Sequence, residues 1–411
     1  MVNRVIAVLC LGAMAAMCGC ADSASGPTAA RVGPTGAPAH VELAPEHSFV
    51  KTWRAELGLG DKQTLKALYL RTGRVFAYTT DNDVYAFDRL TGSVLFAQNS
   101  VVPAGKTLWA PIVLTDYMVF PSAFTCEVYS TKGDLVQSEQ LPFSVTSNGC
   151  AGDGSYIFVG ASMVDSDISS SGRLACVDVA DKYVPLVWSL VTRGVAGSPS
   201  FVSGTCYTGG GDGCLYAVDE LRHSAWTLKD GDVFKTDKAI VGDVVADGAS
   251  VYAASMDERL YCIDRQTGKL RWQYFAEVPL PQGPVISTAN VYLFVPGKGL
   301  VAISRTSTGA IRTPAWTNPD ALQFLAEDER YSYLRMMDNS LLAVNKATGE
   351  PVFQSVKTNF VAYACNPNSK EGFFYAGTAD GHVYQIKPVL TPGVVGELIG
   401  QQPLNQAPVG H

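Results

Sequence analysis

The side chains able to serve as nucleophiles, bases or metal ligands are few in this chain, and they are scattered. Ten cysteines occur among 411 residues. Cys10 and Cys18 lie in an N-terminal apolar run that Cys20 closes. The other seven are Cys126, Cys150, Cys176, Cys206, Cys214, Cys262 and Cys365. Their spacing is irregular and holds no Cys-x-x-Cys pair, so neither a zinc ligand set nor a redox dithiol is spelled out. An odd number gives no disulfide framework, and the expected role is that of small apolar residues in strands. Cys206 and Cys214 flank a glycine-rich turn, in a register that does not oppose them.

The five histidines are His40, His47, His223, His382 and His411, and no Gly-x-Ser-x-Gly elbow accompanies them. The run Gly209-Gly-Gly-Asp-Gly213 leads into a strand pattern, so it lacks the helix N-terminus that a phosphate cradle uses. It is expected to be a hairpin turn. Asp165-Ser-Asp-Ile-Ser169 lacks the glycine and the closing glutamate of a calcium loop. It reads as a polar hairpin loop in an insertion. No catalytic, cofactor-binding or metal-binding residue is assigned on these grounds.

Composition narrows the classes further. The chain is 47% hydrophobic and 17% charged, with a formal charge of −7, so the basic footprint of a nucleic-acid binder is missing. Its apolar and aromatic content is too high for a disordered chain. The one long apolar run, Val5 to Met17, is short for a transmembrane helix. With Arg4 before it, the run reads as a secretory signal over residues 1–19. Met17-Cys-Gly-Cys20 is similar to a bacterial lipobox with Met17 where leucine is usual, which makes Cys20 the lipid-bearing residue; ordinary signal cleavage is the alternative. Ala21 after that cysteine points towards the outer membrane, with the chain on its periplasmic face. Residues 20–48, rich in Ala, Ser, Gly, Pro and Thr, read as a flexible tether. Residues 389–411 read as an irregular tail.

Between tether and tail lies a repeat, and it organises everything else. Val75 to Phe96 and Val251 to Trp272 match element by element: two apolar runs flank an Asp-containing turn, a Thr-Gly turn follows, and a third run ends in an aromatic residue. Each run alternates at period two between turn residues, as short antiparallel strands do. Equivalent third-strand positions are Tyr85, Glu127, Ala175, Tyr216, Tyr261, Val301, Leu342 and Tyr384, a period of about 43 residues. The Thr-Gly turn recurs at Thr91-Gly92, Thr267-Gly268, Thr308-Gly309 and Thr348-Gly349, where glycine accepts positive φ. Asp88, Asp178, Asp219 and Asp264 follow third strands and are expected to cap those turns. Trp53, Trp188, Trp226, Trp272 and Trp316 share the outer-strand position, with Phe96 and Phe353 in other copies. Rings there are expected to glue one sheet to the next.

The expectation is an all-β, eight-bladed β-propeller of four-stranded antiparallel blades over residues 49–388. The last copy lacks its fourth strand, whereas an orphan strand carrying Trp53, Phe49 to Leu57, precedes the first. That orphan is expected to be the outermost strand of the last blade and to close the ring.

Leu-Tyr-Ala-Val-Asp, with Thr-Gly and Trp downstream, resembles the pyrroloquinoline-quinone-type propeller repeat, and the resemblance covers nearly all of the chain after the tether. Two groups share that repeat: quinoprotein dehydrogenases and the BamB lipoproteins of outer-membrane β-barrel assembly. Length, lipobox, tether and blade number resemble the second. Leu190-Val-Thr-Arg193-Gly194, closed by Ser198-Pro199, is similar to a BamB loop whose arginine helps bind the barrel-assembly protein, although Thr192 replaces a leucine and one extra residue intervenes. The resemblance implies a non-catalytic, monomeric scaffold without cofactor, lipid-anchored to the membrane. It implies Leu190, Arg193 and Gly194 as partner-binding residues towards a BamA-like outer-membrane assembly protein. The alternative is a quinone-dependent dehydrogenase or a small-molecule-binding propeller. The adjacent cysteine pair and extra length common in those dehydrogenases are missing here.

Overall fold

A computed structural model describes residues 42–43, 47–165, 168–194, 197–226, 233–367, 370–391, 395–402 and 404. The signal segment, Cys20 and most of the tether lie outside them. The described chain folds into eight antiparallel sheets, the eight-bladed propeller read from the repeat. Blade 1 shows the plan: Leu65–Arg71, Arg74–Thr79, Val84–Asp88 and Val94–Gln98 pair in sequence order from channel to rim. Blade 2 runs from Ile112 to Gln140, blade 4 from Ser200 to Lys235, blade 5 from Val245 to Phe275 and blade 6 from Val285 to Asn318. Blade 3 has a split inner strand, Ser144–Val145 and Cys150–Ala151, both paired with Tyr156–Asp165. Its next hairpin, to Ile168–Asp178, contains the insertion and residues 166–167, which lie outside the described set.

Closure uses the orphan strand. Ser48–Glu56 pairs antiparallel with His382–Val389, the third strand of blade 8, so the two ends of the ring share one sheet. It is the fourth strand there but not the outermost, which corrects the expectation. Val395–Ile399 pairs on its outer side, and Glu42–Leu43 pairs on that strand in turn. Gln401–Gln402 extends blade 7 through Pro351–Ser355. The segment read as an irregular tail therefore contributes strands. Its Pro and Gly content masked short runs such as Val395–Ile399, and the unpaired edge of Ser48–Glu56 offers them backbone partners. Lys51 Nζ lies 2.5 Å from Glu397 Oε1 and fixes this added strand.

The core is not central but lies between blades. Each of eight apolar clusters joins two neighbours, as where Trp53 and Tyr375 of blade 8 meet Phe87 of blade 1. The outer-strand aromatics form the joints. Trp53 Nε1 donates to Arg89 O at 3.2 Å, Trp188 to Glu220 O at 2.6 Å, Trp226 to Arg265 O at 2.9 Å and Trp316 to Lys346 O at 3.0 Å. Each acceptor belongs to the next blade and follows Asp88, Asp219, Asp264 or Asn345. Those four side chains cap the turns: Asp88 Oδ1 accepts from Leu90 N, Thr91 N and Thr91 Oγ1, and Asp264 Oδ1 repeats the pattern. Arg271 and these turn donors hold the Asp264 carboxyl down at about 2. A Cβ on Gly92 would lie 2.8 Å from the Trp53 ring and one on Gly349 2.6 Å from Trp316, so the turn glycine also clears a seat for the neighbour's indole. Two copies vary the plan. Trp226 precedes its fourth strand, which is Phe234–Lys235, and Trp272 is covered by Arg312, 5.4 Å from its ring centroid.

Trp53 is 4% exposed and seals the joint that closes the ring. Trp53→Ala is expected to cost about 3–5 kcal/mol by removing a buried ring. Trp53→Phe should cost less, because it retains most of the apolar contact. Urea unfolding of both variants checks this; equal stability of wild type and Trp53→Ala would detach Trp53 from closure.

Candidate functional site

The connection from blade 3 to blade 4 carries the residues singled out from sequence, and the fold separates their roles. Leu190 lies within the strand Leu186–Val191, opposite Leu174, and packs half-buried on the apolar cluster between the two blades. Thr192 is fully buried. Its N–H donates to Gly172 O at 2.8 Å, and its hydroxyl donates to Gly194 O at 3.2 Å. The hydroxyl thus ties the turn to itself where the resembling loop has a leucine. Arg193 and Gly194 take φ values of 44° and 118°. Two successive residues of positive φ reverse the chain sharply and leave the Arg193 side chain exposed, without a hydrogen bond or ion pair to any described residue. Val195 and Ala196 lie outside the described residues.

The glycine run of blade 4 supports this turn. Gly209–Gly213 forms the hairpin between Thr205–Gly209 and Cys214–Val218, as its strand context implied. A Cβ on Gly211 would sit 2.6 Å from Arg193 O and 2.7 Å from Gly194 Cα, and one on Gly210 would sit 2.6 Å from Thr192 O. The run is glycine because two backbones cross there without room for side chains.

Backbone crowding continues around this face, where the chain enters the inner strands of blades 4, 5 and 6. A Cβ on Gly197 would meet Gly242 O at 2.0 Å, one on Gly242 would meet Gly283 N at 2.5 Å, and one on Gly283 would meet Asp243 O at 2.1 Å. Val244 N donates to Ser198 O at 3.1 Å across the same seam. The sequence reading missed this glycine ladder. Its signal was present, as a glycine two or three residues before each of three successive inner strands.

At the channel, Tyr69 and Arg71 of blade 1, Asp243 before blade 5, Gln323 of blade 7 and Tyr363 of blade 8 line a cavity of about 560 Å³. Arg71 donates to Leu70 O at 3.0 Å, and burial lowers its affinity for a proton. Tyr78 stands behind Tyr69, its hydroxyl buried without a hydrogen-bond partner. Among the described residues no three His, Cys, Asp or Glu side chains converge as metal ligands.

Comparison with known proteins places this geometry. The family model described as the outer membrane protein assembly factor BamB matches residues 51–220 and, in an overlapping placement, 104–318. The crystal structure of BamB from Moraxella catarrhalis superposes with a TM-score of 0.59 at 18% identity, over 82% of this chain and 97% of that one. The computationally designed Ika8 protein superposes with a TM-score of 0.56 at 14% identity, over 81% and 98%. No curated protein matches by sequence. At such identities the two structures testify to the fold.

Gly211→Ala is expected to destabilise the chain by about 1–3 kcal/mol, because its methyl group must displace the Arg193 and Gly194 backbone. Gly248→Ala serves as the control, since its φ, like that of Gly211, is not positive and nothing lies within 4 Å of an added Cβ. Thermal melting with amide exchange at residues 192–194 checks this; identical behaviour of both variants would mean the crossing does not hold the turn.

Proposed function

We propose, from the premise that this chain belongs to the family of the outer membrane protein assembly factor BamB, that it is a non-catalytic scaffold of outer-membrane β-barrel assembly. In this reading Cys20 carries the lipid anchor, the tether read over residues 20–48 is shortened at its end by the strands Glu42–Leu43 and Ser48–Glu56 and links the disc to the periplasmic face of the outer membrane, and the propeller holds an assembly protein of BamA type. The observation that carries the reading is the turn Thr192–Gly194: an arginine without a hydrogen bond or ion pair to any described residue, held out from the face by two residues of positive φ and a buried hydroxyl. Arginine suits such a post because an apolar stem, a planar face and forked donors act together. A rigid support matters because a preordered loop loses little entropy on docking. Leu190 acts through packing, since it anchors the base of the turn. The quinone-dependent reading is not favoured by family membership.

Arg193→Ala should weaken capture of the assembly protein by about 2 kcal/mol, roughly thirtyfold. Its own stability should change by no more than about 0.5 kcal/mol. Arg193→Glu should weaken capture further. Titration of the partner against each variant, with melting curves alongside, tests this; unchanged affinity for both would remove Arg193 from the interface. The anchor is tested separately. Cys20→Ala should move the protein from the membrane to the soluble fraction and abolish labelling by a fatty-acid analogue. Retention with continued labelling would place the lipid elsewhere.

A further inference from the structure

Three of the seven described cysteines meet at one joint, between blades 3 and 4. Strand register determines their placement. Cys150 stands opposite Phe158, Phe158 stands opposite Cys176, and Cys176 stands opposite Trp188. Directly opposed residues of antiparallel strands project to the same side, so Cys150, Phe158, Cys176 and Trp188 form a row on one face of blade 3. That face packs on blade 4, where Cys206 lies between Phe201 and Val218 in register. All of these residues share one apolar cluster, the smallest of the eight between blades, with Phe158, Leu174, Cys176, Cys206 and Val218 as its fully buried members. Cys150 packs against the same cluster that buries Cys206, and burial, with Cys150 beside it, pushes the Cys206 thiol up.

We propose that this cluster is a modification site: Cys150 and Cys206 form a disulfide that staples blade 3 to blade 4. The alternative pair within blade 3 fails on geometry. Cys150 and Cys176 sit two strands apart, about 9.5 Å between Cα atoms, beyond the reach of about 7 Å that a disulfide tolerates. Cys150 is the entry point because it is half-exposed, whereas Cys176 and Cys206 are buried. The oxidant is a thiol–disulfide exchange partner, either a low-molecular-weight disulfide or a dithiol oxidase. The Cys150 thiolate attacks one sulfur of the oxidant's disulfide, forms a mixed disulfide and expels one thiolate. Cys206 Sγ then attacks the Cys150 sulfur and expels the second. Two cysteine thiols are oxidised to one disulfide, the oxidant is reduced to two thiols, and proton number is conserved.

The bond supplements the joint between blades that has the fewest buried apolar residues. It cross-links positions 56 residues apart in the chain, a loop long enough to constrain the unfolded state substantially. The proposal does not depend on the assembly role.

The test uses the purified full chain, equilibrated with oxidised glutathione and then unfolded without reductant in the presence of an alkylating agent. Peptide mass mapping should find the Cys150 and Cys206 peptides joined and Cys176 alkylated. The oxidised protein should melt about 5 °C above the reduced protein. Cys150→Ser, at the half-exposed member, should abolish both the link and the melting difference while leaving the propeller folded; Cys206→Ser provides a second check. Alkylation of all three cysteines after oxidation overturns the proposal, as does a link through Cys176.

Discussion

Every blade of this propeller is apolar on both faces, and that constraint governs the rest. A sheet buried on two sides needs a neighbour on each, so no linear stack of such sheets can end without exposing a face. The ring is the arrangement in which each face finds a partner, and the pairing of Ser48–Glu56 with His382–Val389 makes it a ring. Without that pairing, blade 8 would lack its fourth strand, and Trp53 would lose its seat between Tyr375 and Phe87. The cost of closing so long a loop grows only slowly with its length, so one strand pairing and one aromatic joint are sufficient to offset it.

The joints explain why the repeat reads as it does. An indole on one blade donates to a carbonyl on the next, that carbonyl follows an aspartate or asparagine that caps the turn, and a turn glycine leaves room for the ring. These positions are one interaction viewed from two blades. Where the indole is replaced, other contacts fill the joint: Phe96 stacks 5.7 Å from Phe120, and Phe353 lies 4.9 Å from Phe49. The joint between blades 3 and 4 retains the indole bond of Trp188 but has the fewest buried apolar residues, and Cys150 and Cys206 stand where blade 5 places Val245 and Val251.

A ring held in this way has rigid faces, and the functional reading draws on that rigidity. The turn at Arg193 is supported from below by the glycine hairpin of blade 4, and the glycine ladder binds the neighbouring loops backbone to backbone. Van der Waals contact between main chains, with no side chain to rearrange, leaves few alternative conformations. Docking at this turn therefore has little backbone freedom to remove, which leaves the rotamers of Arg193 as the part still to be ordered.

The eight blades, their four-strand plan, the closing strand and the capping aspartates were legible in the sequence, because each depends on local alternation and on turns at a fixed period. The aromatic register was legible for the same reason, although Trp226 shows that a shared position does not guarantee a shared strand. Other features depended on which segments the ring brings together. The strand Val395–Ile399 is too short to declare itself and forms on an edge that closure creates. Gly211 looks like any hairpin glycine until the Arg193 backbone crosses it. Thr192 reads along the chain only as a replacement for a leucine, whereas the fold buries it and uses its hydroxyl to close the turn. The cysteines show the division most plainly. Cys150, Cys176 and Cys206 have no pattern along the chain, since their proximity arises from register within one blade and packing against the next. Sequence alone determined the repeating unit, whose stabilising interactions lie within one period; the tertiary structure alone decided what crosses between units, because those contacts form only when the ring has closed.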